Sequence, residues 1–267
     1  MIRYRRAFMA ILWREVLRFL QQRERFLAAL VRPLIWLIVF AAGFRAILGI
    51  SIQPPYDTYI TYDVYIAPGL IGMIQLFNGM QSSLSMVYDR EMGSMRVLLT
   101  SPLPRWFVLA AKLIAAAAVS LIQVYAFLVV AALFGIVFEP AGYVLASPVL
   151  LVTGIMLGAL GMFVSSFIRQ LENFAGVMNF VIFPLFFLSS ALYPLWRMQE
   201  SSLILYRLCL WNPFTHAVES IRFALYAKVE PTSLTLVMGT TGIFLVAAIV
   251  GYSPSRGMRA GRAQTPS

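Results

Sequence analysis

The sequence predicts an all-α integral membrane protein: six transmembrane helices preceded by an amphipathic helix, a short amphipathic helix between spans 2 and 3, and an outer amphipathic or re-entrant segment before span 6. Three observations carry this. Hydrophobic residues make up 60% of the 267 and charged residues 12%, far from the mixture of a soluble domain. Apolar runs long enough to cross a bilayer recur at about 30–48, 64–87, 108–137, 146–168, 174–193 and 233–252. The basic residues behind the net charge of +10 cluster at the ends of those runs, as orientation signals do, and not on one face of a nucleic-acid-binding domain.

Residues 1–29 read as a separate interfacial helix. Up to Arg32 the chain carries eight arginines against two acids, Glu15 and Glu24, and the apolar run arrives too late for a signal peptide. On a helical projection Arg14, Arg18 and Arg25 share one side, while Phe8, Leu12, Val16 and Phe19 share the other. The transmembrane domain then occupies about 30–253 and a short tail about 254–267.

Pro33 falls near the start of the first span, where a missing amide hydrogen costs least. Arg45 interrupts the span's outer end, where it can snorkel or pair with Asp57 or Asp63. The second span holds Gln75, Asn78 and Gln81, amides that are costly against lipid. They either line a path through the membrane or hydrogen-bond neighbouring helices. Between the second and third spans lies the island Tyr88-Asp89-Arg90-Glu91-Met92-Gly93-Ser94-Met95-Arg96-Val97-Leu98-Leu99-Thr100-Ser101-Pro102-Leu103-Pro104-Arg105. Its charges, its apolar residues at helical spacing and its terminal prolines predict one compact surface helix with a docking face.

In the fourth span Gly154 and Gly158 form a small-xxx-small pair, a packing face within the subunit or at a dimer seam. Pro184 breaks the fifth span, so a kink is expected there. Asn212 as N-cap and Pro213 at the first helical position open a helix with Phe214, Val218, Ile221 and Leu225 on one face. With both termini in the cytoplasm, sixteen basic residues lie inside and five outside, which satisfies the positive-inside rule for six spans.

Glu91-x-Gly93 followed by Leu98-Leu99-x-Ser101-Pro102 resembles the cytoplasmic loop of ABC-2 type exporter permeases, which include drug-resistance, nodulation-factor and polysaccharide export subunits. The resemblance continues through Pro68-Gly69-Leu70, Phe183-Pro184, Phe187-Leu188-Ser189-Ser190, Tyr193-Pro194 and Asn212-Pro213, departing at Ser190, where such permeases often carry glycine. It implies a coupling helix built from Glu91, Gly93, Arg96, Leu98, Leu99, Ser101 and Pro102, braced by the N-terminal helix through Arg14, Arg18 and Arg25. Candidate path residues are Gln75, Asn78, Gln81, Ser189 and Ser190. It also implies two copies of a separate ATPase subunit holding ATP and Mg, a second copy of this chain or a similar permease, and a place in the inner cell membrane.

No catalytic residue, metal site or cofactor is expected on this chain. It has no Gly-x-x-x-x-Gly-Lys-Ser/Thr loop, no His-Glu-x-x-His, one cysteine (Cys209) and one histidine (His216). Two other readings stay open: a membrane assembly or biogenesis subunit, and an intramembrane lipid-modifying enzyme, which would need convergent ionisable residues at membrane depth.

Overall fold

A computed structural model describes residues 2–21, 23–44, 49–50, 54–91, 104–168 and 170–251. Among these residues the chain forms ten α-helices: α1 (Ile2–Gln21), α2 (Arg23–Phe44), α3 (Tyr62–Glu91), α4 (Arg105–Leu133), α5 (Pro140–Ser165), α6 (Phe174–Phe187), α7 (Leu195–Ser201), α8 (Leu203–Trp211), α9 (Pro213–Leu225) and α10 (Pro231–Gly251). Two short strands, β1 (Gly49–Ile50) and β2 (Ile60–Thr61), pair antiparallel between α2 and α3.

Three helices, α4, α5 and α10, are long and apolar enough to cross a bilayer. The other expected spans differ for identifiable reasons. Helix α3 has 30 residues, about 45 Å at 1.5 Å per residue, but its amides and glycines dilute its hydropathy. Helix α2 starts at Arg23, so Pro33 lies inside it and not in its first turn, and its apolar stretch is confined to Leu30–Phe40. The fifth run is not one kinked helix. Helix α6 stops at Phe187 after 14 residues, about 21 Å, and residues 188–194 are non-helical.

The bundle is built on α3 and α5. A Cβ on Gly79 would lie 2.7 Å from the Leu157 carbonyl oxygen, and one on Gly161 would lie 2.6 Å from that of Gly79, so glycine lets the two backbones touch. Gly154 and Gly158 turn toward α4 instead, meeting Ala117 and Leu113. Helix α4 ends in a Schellman turn: Gly135 at φ 84° lets Ile136 N–H reach the Ala131 carbonyl at 3.0 Å.

Asn212 caps α9 by accepting from Phe214 N–H at 2.9 Å, with Pro213 following. Phe214, Val218, Ile221 and Leu225 are all fully buried. Gly72 of α3 packs on Phe214 and Val218, and Gly142 of α5 meets the Leu225 backbone. So α9 is wedged into the bundle and shares one hydrophobic core with α2, α3, α4, α5 and α6.

Candidate functional site

Two polar clusters interrupt the apolar bundle. The first lies midway along α3. Gln75 is buried; its amide nitrogen donates to the Leu150 carbonyl at 2.6 Å, and its oxygen accepts from the Thr153 hydroxyl at 2.7 Å. Three residues on, Asn78 donates to the side-chain oxygen of Gln123 on α4. These bonds tie α3 to α5 and α4 at the level where Gly79 touches Leu157. Polar groups in an apolar bundle are satisfied by neighbouring helices here. Gln81, half-buried, follows on α3 toward Glu91.

The second cluster fills the gap left by the short α6. Residues 189–192 are buried but not helical, so their carbonyls cannot be satisfied by a following turn. Side chains from α3, from α9 and from its N-cap reach the carbonyls of Ser190 and Leu192 and of the preceding Leu185 and Leu188. Tyr62 donates to the Leu192 carbonyl at 2.8 Å and Tyr65 to that of Ser190 at 2.9 Å. Asn212 donates to the carbonyls of Leu185 at 2.7 Å and Leu188 at 2.6 Å. Arg222, 3% exposed, donates through Nη2 to Ser190 at 2.8 Å and through Nη1 to Glu219, and its guanidinium lies 4.2 Å from the centre of the Tyr65 ring. The buried charge is met by a carboxylate, a carbonyl and an aromatic face, while its Nε is left without a hydrogen-bond partner among the described residues.

A cavity of about 290 Å³ opens beside this pair, lined by Tyr65, Trp196, Gln199, Tyr206, Glu219 and Arg222. Burial pushes the Tyr226 phenol up to about 12 and raises Tyr56 as well, so both remain neutral near Arg222. Tyr56 stacks edge-on to Tyr226, which meets Phe138 in turn. Across the same end, Lys228 donates to the Pro55 carbonyl at 2.9 Å and pairs with Asp57 at 2.8 Å; Arg45, the partner expected for Asp57 or Asp63, lies outside the described residues.

The structure therefore brings Gln75 and Asn78 together and sets Ser189 and Ser190 apart from them in the second cluster. Ser189 donates to Phe186 and accepts from Ala191 N–H, a local turn. Glu91 is the last residue of α3. Gly93, Arg96, Leu98, Leu99, Ser101 and Pro102 lie outside the described residues, as do the side chains of Arg18 and Arg25. Arg14 is exposed and pairs with Glu15 at 3.1 Å; Phe8, Leu12 and Val16 are half-buried and Phe19 is buried. His216 contacts the Leu210 carbonyl at 2.9 Å and Ser233 at 3.5 Å, joining the end of α8 to α10. Among the described residues no three His, Cys, Asp or Glu side chains converge as a metal site would need.

Sequence reasoning missed Gln123, Thr153, Tyr62, Tyr65 and the capping role of Arg222. The available signals were a glutamine inside an apolar run and two tyrosines three residues apart at the head of α3.

Comparison with known proteins gives the same direction. Three relatives carry the name transport permease ycf38. That of Pyropia yezoensis is 29% identical over 83% of this chain and 74% of its own length. That of Cyanophora paradoxa is 29% identical over 77% and 70%, and that of Porphyra purpurea 27% over 80% and 72%. The profile of the ABC-2 type transporter family matches residues 6–226, from the first turns of α1 to the end of α9. The chain belongs to the ABC-2 type transporter family.

Proposed function

We propose that the chain is the membrane-spanning permease subunit of an ATP-driven exporter that moves a lipophilic or glycoconjugate-type substrate. The observation that carries the reading is the family match over 6–226, which takes in both the N-terminal helix and the buried outer helix. The permease works as a dimer, with itself or a similar chain, on two separately encoded ATPase subunits that hold ATP and Mg. It passes six times through the cell membrane with both termini in the cytoplasm.

In this mechanism the segment from Glu91 to Pro102 is the lever that receives ATPase closure, with Leu98 and Leu99 as its docking face and Arg14, Arg18 and Arg25 on the bracing helix. The path follows the polar stripe of α3. Gln75 and Asn78 already bond α5 and α4, so they take part by exchanging partners as the helices shift, with Gln81, Ser189 and Ser190 further along.

The test is co-expression with the ATPase encoded beside it, extraction in detergent, and measurement of complex formation, ATP hydrolysis and transport. Glu91→Ala and Leu98→Asp should insert normally and abolish transport. A chain that purifies without any ATPase, or variants that export normally, would remove the lever and move the assembly-subunit reading forward.

A further inference from the structure

Arg32 falls just inside the apolar part of α2, and its guanidinium carbon lies 3.9 Å from the centre of the Phe77 ring on α3. Its depth is the unexpected feature. At one end of the bundle Val87 packs with Ile168 and Phe174, beside Gln170-Leu171-Glu172. Phe77 is ten residues along α3 from Val87, about 15 Å away, half of a hydrocarbon core of about 30 Å.

A second route agrees. Trp36, one turn beyond Arg32, meets Phe187 with ring centres 6.5 Å apart. Phe187 is thirteen residues from Phe174, so Trp36 stands about 20 Å and Arg32 about 14 Å from that end. Side chains on a helix lean toward its N-terminus, so the guanidinium is already directed toward that end and still falls well short of it. Counted from sequence as a residue before the membrane, Arg32 is in fact beside the middle of α3.

Its company differs from that of Arg222. The ion pairs among the described residues are Arg14–Glu15, Arg197–Glu200, Arg222–Glu219 and Lys228–Asp57. Among the described residues Arg32 has only an aromatic face, and it is exposed. Around it α2 and α6 flank α3, touching at Trp36 and Phe187, while below that contact Phe180, Phe183 and Tyr88 are exposed. On the outer side of α2, Val31, Ile35, Ile38 and Val39 offer an aliphatic surface suited to acyl chains. A planar cation with unused donors in this setting is the complement of a phosphate or carboxylate carried by an amphiphile. A resident lipid keeps its headgroup at the interface, so the anion that reaches Arg32 belongs to a molecule drawn inward.

We propose that Arg32, over Phe77, and the aliphatic surface of α2 form a mid-membrane site for the anionic headgroup of an amphiphile in transit. The word transit rests on the permease reading; the binding does not need it. The full chain, purified in mild detergent, is titrated with phosphatidic acid, phosphatidylglycerol and phosphatidylcholine, and bound lipid is counted by native mass spectrometry. Arg32→Gln should weaken both anionic lipids about tenfold, the scale of one charge-assisted bond. Arg32→Lys should fall between, and Arg207→Gln, an exposed arginine on α8, should match the native chain. Phosphatidylcholine should bind equally to all, and excess inorganic phosphate should not displace phosphatidic acid.

Anionic-lipid affinity unchanged in a monodisperse Arg32→Gln chain overturns the site. Displacement by inorganic phosphate overturns the amphiphile as its ligand. ATPase association that survives with no lipid difference sinks this site alone, and the reverse pattern sinks the permease reading alone.

Discussion

Replacing Arg222 with methionine tests whether the second polar cluster holds the cavity end of the bundle together. Methionine keeps the length of the side chain and removes the charge. The change deletes the bond to the Ser190 carbonyl at 2.8 Å, the pair with Glu219 and the contact over Tyr65. Ser190 still accepts from Tyr65 at 2.9 Å, so that carbonyl is not orphaned. Glu219, 16% exposed, loses its only ion-pair partner among the described residues. Breaking a buried pair from one side costs about 3–5 kcal/mol, and for a chain of this size about 6–20 °C in melting temperature. The assay is thermal unfolding in detergent, followed by fluorescence, with Arg14→Gln as a surface control. Adding Glu219→Leu to Arg222→Met should recover a large part of the loss, because the stranded carboxylate is then gone. A melting temperature within about 2 °C of the control, a shift worth no more than about 1 kcal/mol, or a double variant no better than the single, would refute the reasoning.

Two further outcomes follow from the packing. Gly79→Ala puts a methyl 2.7 Å from the Leu157 carbonyl oxygen, where only backbone can yield, and should cost about 1–3 kcal/mol; Gly154→Ala meets Ala117 Cβ at 3.2 Å and should cost less, so equal melting temperatures would contradict the α3–α5 contact. Gln75→Leu and Thr153→Val, alone and combined, should show a coupling of about 0.6–1.7 kcal/mol in a double-mutant cycle, and strict additivity would deny the 2.7 Å bond between them.

Family membership and the helical class were legible because they rest on order and composition, which no tertiary contact alters. The start of α9 was legible for a local reason: Asn212 and Pro213 act within one turn. The burial of its apolar face was readable as amphipathicity, but its partners were not. The glycines that receive α9, Gly72 and Gly142, sit in other runs and carry no sign of what they face. The second cluster was hidden for the same reason. Ser189 and Ser190 stand out through the family resemblance at Phe187-Leu188-Ser189-Ser190, while the groups that satisfy this stretch come from Tyr62, Tyr65, Asn212 and Arg222, as far as 130 positions away. Span lengths failed where hydropathy and hydrogen bonding disagree: the apolar run past Phe187 continues, but the helix does not.

The stretch at 188–194 has a kinetic consequence. A helix gives up its backbone bonds cooperatively, because opening one turn exposes the next. Here the carbonyls are held by separate side chains, and each tyrosine, asparagine or arginine can let go while the others remain. Local opening at this place is therefore divisible into small steps, whereas opening of α5 is all or nothing over several turns. Amide hydrogens in 188–194 should exchange with solvent through frequent small fluctuations, and those of α5 only through rare large ones. The end of the bundle nearest the cavity is thus where the fold can change shape in increments without melting a helix.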